Sequence, residues 1–210
     1  MITHSISEEN SGFIMMRSVD AIIPDAPRFP FPVHVNYCEV VNGFGRGSSE
    51  LGIPTANVDI DELPAVVNDE LSLGVYFGFC KLRENNDDLL DKSVTTSKTR
   101  ADGRVVEYNY GQELAGDELE VLPVVLSVGV NPFYNDASDP KAAKTVELHI
   151  LHEFGATFYG SLIKFNILGY IRPELNYTSR EQLVADINID IEVAKRTLLH
   201  PNYLKHKDLL

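Results

Sequence analysis

Gly74–Val75–Tyr76–Phe77–Gly78–Phe79–Cys80–Lys81–Leu82 (GVYFGFCKL) is the stretch on which the fold turns. It is dense in aromatic and β-branched side chains and reads as a buried strand, with glycines that admit close backbone approach. Toward the N-terminus, Val33, Val35 and Tyr37 alternate with polar neighbours, and the run continues through Cys38–Val41 as far as Gly43. Asn57–Ile60 is short and extended. Toward the C-terminus, strands resume at Pro123–Val130, Thr145–Leu151 and Leu162–Tyr170. The period then changes. Thr178 with Glu181 three residues on forms a capping box, and Leu183, Ile187, Ile191, Ala194 and Leu198 recur at helical spacing, until Pro201 stops the run. Many short strands followed by one long amphipathic helix predict a small antiparallel barrel or closed sheet with the helix packed outside. An alternating βαβ nucleotide fold is not indicated.

The flanks and the insertion have a different character. Residues 1–32 form an N-terminal extended arm, its Pro24, Pro27, Pro30 and Pro32 favouring a polyproline-like lead-in. Residues 83–122 carry five basic and ten acidic side chains, with turn chemistry at Asn85–Asp88 and Ala101–Arg104. This stretch reads as an elaborated hairpin or mobile insertion, not a core element. The whole chain of 210 residues has a formal net charge of −13, which argues against a nucleic-acid groove or an anionic membrane surface. Any phosphate must therefore be held by backbone N–H groups, a metal and a few local cations. Cys38 and Cys80 read as small buried thiols of a reducing compartment. With no apolar run long enough to span a membrane and no credible leader, the sequence points to a cytoplasmic protein, taken as a monomer; mitochondrial or microsomal association stays open.

The richest stretch is Gly43–Asn57, GFGRGSSELGIPTAN. Three glycines at alternate positions let a backbone turn sharply and present N–H groups to phosphate oxygens. The stretch fails the Walker A template, because Ile53–Pro54 stand where Lys and Ser or Thr belong, and it fails the dinucleotide fingerprint. Thr55 and Asn57, two apart in an extended segment, would face the same way, and a hydroxyl with an amide oxygen makes a hard donor pair for Mg²⁺. A strand-edge Thr and a turn Asn are the alternative. Further along, Thr145, Glu147 and His149 share one strand face, with Val146, Leu148 and Ile150 on the other. A lone carboxylate there reads equally as a solvated Glu. His149, His152 and Glu153 lack the spacing of a zinc site.

GFGRGSSELGIPTAN resembles the signature loop of the riboflavin kinases, a glycine-rich stretch running into Leu-Gly-x-Pro-Thr-Ala-Asn. Gly74–Tyr76, Ser127–Tyr134 (SVGVNPFY), Lys144–Ile150 (KTVELHI), Phe158–Gly160 and Gly169–Glu174 (GYIRPE) match further motifs of that family in the same order, over residues 33 to 200. The resemblance implies a six-stranded antiparallel Greek-key β-barrel with a C-terminal helix at 179–199, in a kinase domain spanning 33–210. It implies transfer of the γ-phosphate of ATP to the 5′-hydroxyl of riboflavin to form FMN. Thr55 and Asn57 would hold Mg²⁺, and Gly43, Gly45, Ser49 and Thr55 would surround the phosphates. Ile150, His152 and Tyr159 would line the adenine nucleotide, Arg172, Leu175 and Tyr177 the flavin, and Glu147 would take the proton from the 5′-hydroxyl.

Two departures stand out. Ser49 replaces a lysine common in the family, leaving Arg46 as the nearby cation, and Val130 replaces a frequent Trp. The first keeps in view a flavin-binding module of the same fold without phosphotransfer; the acidic insertion keeps in view a structural barrel that binds a protein partner through it. A nucleotidyltransferase domain for making FAD has no room in this chain.

Overall fold

The computed structural model describes residues 21–43, 52–87, 96–99, 103–130 and 144–210. Strands β1 (Val33–Val41), β2 (Ala56–Val58), β3 (Gly74–Arg83), β6 (Val121–Val130), β7 (Lys144–Ile150) and β8 (Leu162–Arg172) close into a barrel in the order β1-β2-β7-β6-β3-β8. Every neighbouring pair is antiparallel. Strands β3, β6 and β7 are consecutive around the wall, while the connections from β2 to β3 and from β7 to β8 cross between non-neighbours in the Greek-key manner. Strands β4 (Thr96–Thr99) and β5 (Val105–Tyr108) pair as a separate ribbon.

Strand β3 is apolar at nearly every position because both its faces are covered. Tyr76, Cys80 and Leu82 point into the barrel with Leu126, Leu148 and Phe165. Val75, Phe77 and Phe79 point out and pack, with Leu168 and Ile171, beneath Val193, Ala194 and Leu198 of helix α2 (Arg180–Leu198) and Tyr203 of α3 (Pro201–Leu204), α1 being the short helix Ala65–Asp69. Each large side chain so buried contributes about 1.5–3 kcal/mol. The pairing of β3 with β8 slips between Phe77 and Gly78. Fully buried Asn166 sits beside this irregularity: its Oδ1 accepts the Phe79 N–H at 2.9 Å and its Nδ2 donates to the His206 carbonyl at 3.1 Å. Gly78 must be glycine, since a Cβ there would run into the Asn166 carbonyl.

Four details differ from the sequence reading. The N-cap of α2 is Ser179, whose Oγ accepts the Gln182 N–H at 3.2 Å, while Thr178 Oγ1 donates to Gln182 Oε1. Thr178–Glu181 and Ser179–Gln182 carry the same pattern one residue apart, so spacing alone cannot choose. Pro201 starts a helix as well as following one: it opens α3 behind an His200 cap. The extended stretch at Asn57–Ile60 ends early, because Asp59 caps a 3₁₀ turn over Ile60–Glu62. The arm over 21–32 is irregular, bent at Asp25–Ala26 and turned at Phe29–Pro30, with cis bonds at Phe29–Pro30 and Phe31–Pro32 and not a continuous polyproline run, and it is tied down where Tyr203 donates to the Pro24 carbonyl at 2.9 Å. The rest of the arm lies outside the described residues.

The 83–122 stretch contains the hairpin expected of it, β4 with β5, but the segment at the end of β5 is core. Tyr108 is 1% exposed, and Asn109 and Tyr110 are buried beside it. Gly160, at φ +82, is the residue that lets them in, because a Cβ there would meet the Tyr110 ring at 2.6 Å. The acidic composition of the insertion masked this short tyrosine segment. Both cysteines are buried thiols, and burial, with some help from Glu62, pushes Cys38 up to about 12.

Candidate active site

Strand β7 is the axis of the site. Its alternation buries Val146, Leu148 and Ile150 in the barrel and leaves Thr145, Glu147 and His149 half-buried on the outer face. Glu147 at its centre pairs across β2 with Asn57 and across β6 with Ser127. Directly opposed residues on neighbouring strands present their side chains to the same face. Thr55, just before β2, donates from Oγ1 to Glu147 Oε2 at 3.4 Å. The Pro54 carbonyl in front of it lies 2.8 Å from His149 Nδ1, so the histidine ring pins this turn to β7. The two candidate metal oxygens and the candidate base thus share one patch.

On the other flank of Asn57 lies β1, where Val41 is its partner. Gly43 follows so closely that a Cβ on it would come 2.5 Å from Asn57 Nδ2. Glycine at 43 lets the start of the loop rest on the asparagine. A hydroxyl, an amide oxygen and a carboxylate are hard oxygen donors and fit Mg²⁺. Among the described residues no group of three or more His, Cys, Asp or Glu side chains is gathered as a metal site. An ion here would complete its shell from phosphate and water.

Beyond the His149 end of β7 opens a cleft of 1270 Å³, whose lining includes Thr55, Ile150, His152 and Tyr159, four of the residues expected around the nucleotide. His152 sets its ring edge-on to Phe154 at 5.0 Å, and Tyr159 stacks on Tyr108 at 5.7 Å. The far wall is α2, through Asn188, Ile191, Glu192 and Lys195, which the sequence reading did not include. Their spacing marks one helical stripe, but nothing local shows that the stripe faces the β7–β8 loop. Lys195, half exposed and 3.6 Å from Glu192, adds a cation to the cleft that the reading based on Arg46 lacked.

Beyond the Thr145 end lies the segment Arg172–Tyr177. Thr145 pairs with Gly129, and a Cβ on that glycine would fall 2.6 Å from Glu174 Oε1 and 3.5 Å from Thr145 Oγ1. The segment therefore passes two residues along β7 from Glu147, on the same face. Leu175 and Tyr177 are half-buried there. The Tyr177 hydroxyl donates to Asp186 Oδ2 at 3.0 Å, and burial pushes it up to about 12, so it stays a proton donor. Arg172 is drawn inward, toward α2. It is 9% exposed, and its Nε reaches Asp190 Oδ1 and Oδ2 at 3.0 and 2.9 Å. Its Nη2 lies 2.7 Å from Asp190 Oδ2, and its Nη1 donates to the Pro173 carbonyl at 3.1 Å. Burial pulls the guanidinium down, but the bonds and charge of Asp190 outweigh it and hold the group above its ordinary value. Gly45, Ser49 and Asn131–Tyr134 lie outside the described residues.

The Riboflavin kinase family model (Flavokinase) matches residues 31–198. A riboflavin kinase of Kluyveromyces lactis is 55% identical over 93% of this chain and 100% of its own length. Those of Candida glabrata and Saccharomyces cerevisiae are 56% and 55% identical, over 91% and 92% of this chain and 96% and 85% of their own. The crystal structure of riboflavin kinase from Trypanosoma brucei shares the fold, with a TM-score of 0.53 at 24% identity and 86% of each chain covered.

Proposed function

We propose, for a chain that belongs to the riboflavin kinase family and so phosphorylates riboflavin with ATP to give FMN, that β7 is the line along which the two substrates meet. The observation that carries this reading is the position of Glu147. It lies between the 1270 Å³ cleft at one end of its strand and the Arg172–Tyr177 segment at the other, with the Thr55 hydroxyl 3.4 Å away. ATP lies in the cleft, its adenosine against Ile150, His152 and Tyr159 and its phosphates toward Thr55 and the loop of Gly43, Gly45 and Ser49. Riboflavin lies on Leu175 and Tyr177 with its ribityl chain directed along β7.

Thr55 and Asn57 are the residues that would hold Mg²⁺, which when bound neutralises charge on the transferring phosphate. That help matters in a chain of net charge −13. Glu147 accepts the proton of the 5′-hydroxyl as that oxygen bonds to the γ-phosphorus, and the bond from the γ-phosphorus to the bridging oxygen breaks to release ADP. Arg172 acts through Asp190: it ties the flavin segment to α2 and does not itself stack on the ring. The catalytic domain spans 33–210 with 1–32 as an arm, and it works as a cytoplasmic monomer without nucleic acid. Among the described residues no helix is long and apolar enough to cross a membrane.

The test is Glu147→Gln, followed by chromatographic conversion of riboflavin to FMN. Turnover should fall by about 10²–10⁴-fold, with riboflavin affinity, read from quenching of flavin fluorescence, unchanged. A variant that turned over at the parent rate would remove Glu147 from this role.

A further inference from the structure

The insertion that ends at Leu122 touches the proposed nucleotide cleft from behind at four points. Glu118 Oε1 accepts the Gly155 N–H at 2.8 Å, while its other oxygen accepts the Ala115 N–H at 3.0 Å. Asn109 Nδ2 donates to the Thr157 carbonyl at 2.5 Å. The backbone N–H of Tyr110 donates to the Tyr159 carbonyl at 2.9 Å. Tyr108 stacks on the Tyr159 ring. Gly155, Thr157 and Tyr159 all line the cleft.

Tyr108 also reaches the chain just after β1. Its hydroxyl donates to Asn42 Oδ1 at 2.7 Å and accepts the Asn42 backbone N–H at 3.0 Å. Asn42 immediately precedes Gly43, which rests on Asn57. One buried side chain thus fixes both the start of the glycine-rich loop and the floor on which the base would lie. The arrangement is built at some cost: Tyr110 holds a left-handed φ of +56, with Gly111 following at +80. The Glu118 carboxyl is held below its usual value by the Gly155 and Ala115 N–H groups, so this brace keeps its charge.

We infer that Tyr108 and Glu118 are positioning residues for the nucleotide: the insertion sets ATP affinity by fixing the Gly155–Tyr159 wall of the cleft and, through Tyr108, the start of the glycine-rich loop, without touching ATP. The inference rests on the reading of that cleft as the ATP site. Tyr108→Phe deletes the two Asn42 bonds and keeps the ring, and Glu118→Ala releases Gly155 by removing a half-buried side chain. His152→Ala tests the cleft itself.

Steady-state kinetics with each substrate varied, alongside thermal denaturation, separate the outcomes. In both brace variants KM for ATP should rise about three- to tenfold, the loss expected for one or two hydrogen bonds. KM for riboflavin and kcat should stay within about twofold. An ATP KM unmoved in both, with His152→Ala raising it, overturns the brace and leaves the cleft assignment standing. An equal rise in both KM values, with a fall in Tm, overturns it in favour of a general structural role. If His152→Ala also left the ATP KM unchanged, the cleft would not be the nucleotide site and the brace would fall with it.

Discussion

The middle of β7 and its Thr145 end are built by different means. In the middle, the groups proposed to do chemistry are placed by sheet register: Asn57 faces Glu147 because β2 pairs with β7, and no side-chain bond is needed to set that. At the Arg172 end, the chain leaves β8 and becomes irregular. Its course is set by a buried ion pair, Arg172 on Asp190, and by the Tyr177 bond to Asp186. Register is an all-or-none property of a strand pair, since a slip by one residue would reverse every side chain. A segment held by two side-chain links to a helix can instead shift by small amounts with that helix. The contrast assigns rigidity to the Glu147 patch and adjustability to the Arg172–Tyr177 segment.

Arg172→Leu attacks the second device directly. It takes the cation of a buried pair away from the Asp190 carboxylate, 1% exposed, and should cost about 3–5 kcal/mol of stability in denaturant titration. Pairing it with Asp190→Leu should recover most of that stability while the riboflavin KM stays raised. If the double variant bound riboflavin like the parent, the ion pair would not be what sets the flavin segment.

Gly43→Ala probes the first device. The added Cβ would press on Asn57, and a rigid register leaves the asparagine little room to yield. Overpacking of this kind costs about 1–3 kcal/mol, and here it should appear as a loss in kcat/KM for ATP of about tenfold with an unchanged riboflavin KM. An alanine variant with parent kinetics would show that the loop adapts and that the patch is less fixed than register suggests.

The smallest effect is expected away from both regions. His206 is held below its usual value by burial, then by Lys205 and His34. A histidine depressed in the folded state contributes stability that is present above the unfolded value and is lost as pH falls through the folded one. Tm should therefore slope gently downward as pH drops below about 6.5, and His206→Gln should flatten the slope without moving either KM. An identical slope in the variant would assign it to other groups.

The strands were legible because their alternation or continuous apolarity is local. Strands β1, β3, β6, β7 and β8 lie where Val33, Gly74, Pro123, Thr145 and Leu162 announce them, with ends shifted by a residue or two. Glu147, Thr55 and Asn57 could be singled out from motif and spacing, and their gathering follows from pairing between β2 and β7. The α2 wall of the cleft and the Tyr108 link depend on contacts between distant segments, 66 residues apart for Tyr108 and Asn42. No window of sequence contains them. Asp190 did leave a trace: it falls three residues after Ile187 and four before Ala194, an acid on the apolar stripe, where burial demands a polar or charged partner.

Strand β3 is a shared wall, its inner residues belonging to the barrel and its outer ones to the helix layer. Neither compartment can lose this partition and keep its own contents in order. Calorimetry should accordingly record one melting peak, with no early step in which the C-terminal helices detach from an intact barrel.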